Sequence, residues 1–227
     1  MKNLLAIFVF LSSHSFGQNL KNPIVINRLK LSGQFRKASN VEMWERNVQY
    51  LGRLKDTIFI QRIADLRNPI GNNKILIDDS LSKHYSFYGM GKLKIVVDTT
   101  QNITLEEYEW WTKERKYKYY KANPIFISNF SDSTTIVGYG YNIPIILEAI
   151  DSGKIWRPIE IRYIYDCGVG LEYILLKPDN IICVLAPIYK GNYKTRLRYK
   201  LGSCYSNEFW SYIDKRQFKA NKKTYRW

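Results

Sequence analysis

The chain has 227 residues and a formal net charge of +15, with 35 Lys and Arg against 20 Asp and Glu, and only 2 His. That length suffices for one large or two small domains with a real core, and a single histidine outside the first seventeen residues excludes a multi-histidine metal site. The charge excess favours anionic surfaces and says nothing about fold.

The N-terminus reads as a leader. Lys2 precedes an uncharged run from Leu4 to Leu11, then polar Ser12 and Ser13, and small side chains stand at Ser15 and Gly17 just before Gln18. The run is much shorter than the ~20 residues that cross a bilayer, so residues 1–17 are expected to be a signal peptide cut before Gln18. No later apolar stretch is long enough to span a membrane, and an exported protein, periplasmic or extracellular, is expected.

Residues 18–103 form a β-rich N-terminal region, with strand character at Ile24–Leu31, Val48–Leu51, Thr57–Ile63 and Leu93–Val97, and turns at Gly71-Asn72-Asn73 and Gly89-Met90-Gly91. Residues 104–123 read as a linker. Thr104 with Glu107 matches a capping box and Glu109 with Lys113 has helical salt-bridge spacing, which predicts a short helix over Leu105–Tyr119.

Residues 124–218 alternate with period two between turn signals. Strands are expected at Ile125–Asn129, Thr134–Tyr139, Ile143–Ile150, Ile159–Cys167, Glu172–Leu176, Ile181–Leu185 and Tyr193–Leu201. Turns fall at Ser131-Asp132-Ser133, Asp151-Ser152-Gly153 and Pro178-Asp179-Asn180. In Ile159–Cys167 the odd positions share a packed face, which leaves Glu160, Arg162 and Asp166 on the other. In Tyr193–Leu201 the packed face is Tyr193, Thr195, Leu197, Tyr199 and Leu201, and the opposite face is Lys194, Arg196, Arg198 and Lys200. The chain is therefore expected to be all-β, with an immunoglobulin-like β-sandwich over 124–218 and a basic tail over 219–227.

Leu175-Leu176-Lys177-Pro178, Ile181-Ile182-Cys183-Val184, Gly191-Asn192-Tyr193 and Ser206-Asn207-Glu208-Phe209 resemble the last strands of immunoglobulin-like or fibronectin-like modules in exported bacterial proteins. With Gly138-Tyr139-Gly140, the second half is similar to uncharacterised exported β-sandwich proteins of Gram-negative bacteria. The resemblance implies a fold and supplies no catalytic residue.

No catalytic, cofactor or metal site is assigned. Ser80 and Lys83 fit an S-x-x-K pattern but lack its companion motifs, and His84 reads as a surface or turn residue. Glu106, Glu107 and Glu109 read as a charged surface, and Gly138-Tyr139-Gly140 and Gly168-Val169-Gly170 as bulges or turns. Cys167, Cys183 and Cys204 allow one disulfide and a free thiol, or three buried thiols. The functional hint lies in cations interleaved with rings, from Trp110 to Lys121 and in the tail, because charge plus stacking holds anionic polymers. The binding residues expected are Lys194, Arg196, Arg198, Lys200, Lys222, Lys223, Arg226 and Trp227. The function expected is non-enzymatic binding of an envelope or surface component, an anionic glycan or a partner protein, with no cofactor and no nucleic acid. A hydrolase acting on an acidic glycan, and an inhibitor or immunity protein against a secreted toxin or hydrolase, are the alternatives.

Overall fold

The computed structural model describes residues 22–38, 42–44, 46–60, 76–77, 82–88, 92–108, 116–162 and 172–219. The leader, both N-terminal glycine turns, Ser80, Glu109 to Arg115, Tyr163 to Gly170 with Cys167, and Lys222, Lys223, Arg226 and Trp227 of the tail lie outside the described residues.

The chain is mostly strand. The first strands are β1 (Ile24–Asn27), β2 (Arg36–Lys37), β3 (Glu42–Trp44), β4 (Val48–Arg53), β5 (Thr57–Ile60), β6 (Leu76–Ile77) and β7 (Ser86–Phe87). Next come β8 (Leu93–Val97), β9 (Ile103–Tyr108), β10 (Tyr117–Asn129), β11 (Thr135–Tyr139), β12 (Ile146–Ile150), β13 (Trp156–Pro158) and β14 (Glu160–Arg162). The last are β15 (Tyr173–Leu176), β16 (Asn180–Pro187), β17 (Tyr189–Lys190), β18 (Tyr193–Leu201), β19 (Cys204–Tyr205) and β20 (Phe209–Ile213), followed by a short 3-10 turn at Lys215–Phe218.

Three layers form around one central antiparallel sheet. Its order is β4-β16-β10, and the far edge of the long β10 is shared, β9 pairing its first half and β8 its second. Side chains alternate across this sheet. Ile125, Ile127, Ile182 and Val184 enter the main core, where they meet Leu147, Leu197 and Tyr199 of an outer sheet and Ile136, Ile174 and Leu176 of a flanking one. Phe126, Ile181, Cys183 and Leu185 point the other way, onto Val25, Ile58 and Ile60 of the parallel β1–β5 ribbon. Covered on both faces, β16 is apolar from Ile181 to Pro187 rather than alternating.

The flanking sheet has the order β6-β15-β11-β7, and the outer sheet runs β13-β12-β18, with β19 and β20 sharing the far edge of β18. In β18, Thr195, Leu197, Tyr199 and Leu201 are buried, as the alternation requires. The three expected turns are present. Asp151 Oδ1 accepts from Gly153 N at 2.9 Å and Ile155 N at 3.0 Å, Asn129 Oδ1 accepts from Ser131 N at 2.9 Å, and Asp179 takes a positive φ of 59°. The Gly138-Tyr139-Gly140 element is a bulge followed by a turn, since the β11–β15 register shifts at Gly138 and Gly140 has φ 55°. A Cβ on Gly138 would stand 2.2 Å from the Asn142 carbonyl oxygen, which only glycine avoids.

Two expectations are corrected. Within the expected helix Leu105–Tyr119, the described residues are not helical: residues 103–108 and 117–129 are strands paired as a hairpin, with Lys118 opposite Glu107. The Thr104 hydroxyl donates to the Lys30 carbonyl at 2.9 Å and accepts from Ser32 N at 2.8 Å, so it caps nothing. Glu160 does not sit on a polar outer face. Both Ile159 and Glu160 are buried, because Glu160 turns inward to meet Arg46 at 2.6 Å.

That ion pair is the most buried in the described residues, with side-chain exposures of 0% and 1%. Glu160 also accepts from the Tyr189 hydroxyl at 2.6 Å and from Leu147 N at 3.2 Å, and the Arg46 guanidinium lies 5.8 Å from the Tyr199 ring centre. Burial alone would lower the Arg46 pKa and is the largest single influence, but the Glu160 carboxylate together with Tyr199 and Tyr189 more than offsets it, so the pKa is raised and the guanidinium stays charged. Burial pushes the Tyr189 hydroxyl well up, and Glu160 adds to the shift. Two buried charges are tolerated only when paired and hydrogen-bonded.

Arg46→Met should therefore cost about 3–5 kcal/mol in urea unfolding, because it strands a buried carboxylate. The double variant Arg46→Met/Glu160→Gln, which removes that charge and keeps one acceptor oxygen, should be more stable than the single one. Leu197→Ala should cost about 2–5 kcal/mol and the exposed Arg196→Ala under about 1 kcal/mol, so equal losses would place Leu197 outside the core.

Candidate functional site

Because β18 buries every second residue, the intervening side chains stand together on the outer sheet's open face. The register brings Glu148 of β12 opposite Arg198, Tyr205 of β19 opposite Lys200, and Trp210 and Tyr212 of β20 opposite Arg196 and Lys194. Trp156 comes from β13, paired to Ile150. Four of the expected binding residues are thus assembled on one surface, which holds four aromatic rings as well.

The four cations differ in environment. Arg198 is clamped: its guanidinium carbon lies 4.2 Å from the Trp156 ring centre and 4.0 Å from that of Tyr205, and it pairs with Glu148 at 2.8 Å. Its side chain is only 19% exposed, although the alternation of β18 leaves it on the unpacked face. Arg196 is exposed and pairs with Glu208 at 2.7 Å. Lys194 approaches the Trp210 ring centre to 5.9 Å and Lys200 that of Tyr205 to 5.7 Å, and neither meets a carboxylate among the described residues. Four cations less Glu148 and Glu208 leave a net +2.

Trp210 and Tyr212 are the rings most open to water here, at 64% and 50% exposure. They stand two residues apart on one face of an edge strand, about 7 Å by strand geometry. The aromatics Trp156, Tyr205, Trp210 and Tyr212 were not singled out from the sequence. Their signal is the period-two spacing of Trp210 and Tyr212, which puts both beside the β18 cations.

Other candidates do not converge. Glu106 and Glu107 are neighbours in β9 and point to opposite faces, Glu106 buried and Glu107 paired with Arg36. They cannot act as a pair on one substrate. Lys83 and His84 are exposed at a turn. No group of three or more His, Cys, Asp or Glu placed to hold a metal occurs among the described residues. An apolar pocket of about 180 Å³ beside Phe126, Phe130 and Ile181 contains one carboxylate, Asp179.

Cys183 and Cys204 are both buried free thiols, one on each side of the central sheet. Burial pushes the Cys183 thiol far above its ordinary range, which disfavours the thiolate form that attacks electrophiles.

Comparison with known proteins finds no match: no family model, no curated protein and no solved structure matches this chain.

Iodoacetamide added to the folded protein should leave Cys183 and Cys204 unmodified by mass spectrometry and label both after denaturation. Labelling of Cys183 in the native protein would contradict its placement beneath the β1–β5 ribbon.

Proposed function

We propose that this chain is an exported, non-enzymatic binding protein whose outer sheet face holds an acidic polysaccharide of the cell envelope. The observation that carries the reading is the interleaving of Lys194, Arg196, Arg198 and Lys200 with Trp156, Tyr205, Trp210 and Tyr212 on one open sheet face. Rings stack on the apolar faces of sugars while lysines meet carboxylates or sulfates, and a long polymer can engage several such points at once. Export rests on residues 1–17, and no helix among the described residues is long and apolar enough to cross a membrane.

The Arg198 clamp gives the face rigidity. Held by two rings and a carboxylate, that side chain loses little further freedom when a ligand arrives, which favours binding. Lys194 and Lys200 supply the charge left for a partner, and Trp210 the stacking surface.

The test is titration of the mature protein with a polyuronate and with a neutral glucan. Polyuronate binding should weaken several-fold in Lys194→Gln/Lys200→Gln and in Trp210→Ala, and fall as salt rises, since exposed charges are screened over about 8 Å at physiological ionic strength. Phe218 packs on Tyr193 with ring centres 5.6 Å apart, so deletion from Lys219 onward spares this contact and should lower binding without unfolding. Unchanged polyuronate affinity in the variants and in high salt would overturn the reading.

A further inference from the structure

On a different part of the molecule, residues 33–37, β10 and β17 enclose a groove of about 720 Å³ lined by Phe35, Arg36, Lys37, Lys118, Tyr120 and Lys190. Four of these six are cationic, and each of three strands, β2, β10 and β17, contributes a lysine. Lys37 and Lys190 occupy paired positions in the β2–β17 ladder. Like charges at neighbouring ladder positions destabilise a sheet, so the arrangement works against folding unless an anion occupies it.

The walls are fixed by the main chain. Lys121 N donates to the Gln34 carbonyl at 2.7 Å, Arg36 N donates to the Ile188 carbonyl at 2.9 Å, and Ile188 N donates to the Lys121 carbonyl at 2.8 Å. These bonds stitch residues 34–36, the middle of β10 and the entry to β17 into one rim. Arg36 is held in place by Glu107 and lies 5.0 Å over the Tyr120 ring centre. Its charge is thereby offset, while Lys37 and Lys190 are exposed and meet no carboxylate among the described residues.

We infer that this groove is a second anion site, specific for a compact group carrying two or more adjacent tetrahedral oxyanions, either phosphoryl or sulfate esters. A concave surface of one sign focuses its field on a small volume, which an open sheet face does not do. Lys37 and Lys190, side by side in the β2–β17 ladder and neither paired with a carboxylate among the described residues, suit a clustered charge better than an extended, singly charged chain. The open outer face serves a long polymer, and the groove serves a densely charged substituent or end.

The test is calorimetric titration of the mature protein with inorganic tripolyphosphate, orthophosphate and a polysulfated disaccharide. At least one of the two clustered anions should bind the parent more tightly than orthophosphate by at least about tenfold. Lys37→Gln/Lys190→Gln should lose at least about tenfold of that affinity, with each single variant intermediate. Both lysines are exposed and like-charged, so without ligand the double variant should melt no lower than the parent while losing the binding. Preference for tripolyphosphate assigns a phosphoryl ligand, and preference for the disaccharide a sulfated sugar. The inference falls if orthophosphate binds as well as both clustered anions, or if the double variant binds within about twofold of the parent. It also falls if Lys194→Gln/Lys200→Gln abolishes this binding while the groove variant keeps it. That last result would leave the outer face standing as the polymer site.

Discussion

Arg46 and Glu160 meet at 2.6 Å out of reach of water, and their partners come from separate parts of the chain. Arg46 lies two residues before β4 at one edge of the central sheet, Glu160 opens β14, Tyr189 belongs to β17 and Tyr199 to the middle of the outer sheet. A buried ion pair has no tolerance for a slipped strand, because a small displacement exposes each charge to the full desolvation penalty. Satisfying this cluster fixes how the outer sheet lies on the central one. Backbone bonds follow the same path: Ile143 N donates to the Arg46 carbonyl at 3.0 Å, and Ile159 N donates to the Leu147 carbonyl at 2.9 Å.

The two charged surfaces depend on that placement. Tyr199 is held in the main core, close enough for Arg46 to face its ring, so Arg198 and Lys200 on either side of it must project outward. Tyr189 reaches Glu160 from β17, and the residue after it, Lys190, is thereby turned towards the groove. One buried carboxylate thus orients strands whose exposed positions carry much of the accessible positive charge. The basic surfaces are arranged by the core as well as by composition.

The sequence was most legible where period-two alternation was strict. Tyr193–Leu201 is a strand over the expected range, and Leu93–Val97 likewise, because one face of each is packed and the other is not. The hairpin of β9 and β10 was hidden because its acidic and basic residues satisfy helical spacing and cross-strand pairing equally, as Glu107 opposite Lys118 shows. Glu160 was misread for a different reason. Alternation assumes that a charged residue between apolar ones faces water, and a buried partner on a distant strand is invisible to it. The groove was illegible for the same cause, since Lys37 and Lys190 become neighbours only through a parallel pairing between distant segments. Cys183 and Cys204 illustrate the limit of counting cysteines, because strands of different sheets place the two thiols in separate cores on either side of the central sheet.

The doubly covered β16 carries a liability that belongs to the chain before it folds. Ile181 to Ala186 is an uninterrupted stretch with no charge, no proline and no glycine, the kind of segment that stacks with copies of itself when left unprotected. Its two native neighbours, β4 and β10, lie far upstream, so the segment waits for long-range closure before either edge is shielded. Pro178 and Asp179 stand just before it and Pro187 closes it, where rigid or charged residues interrupt the growth of an intermolecular sheet. The same boundaries that shape the native strand act as gatekeepers during the interval in which it has no partner.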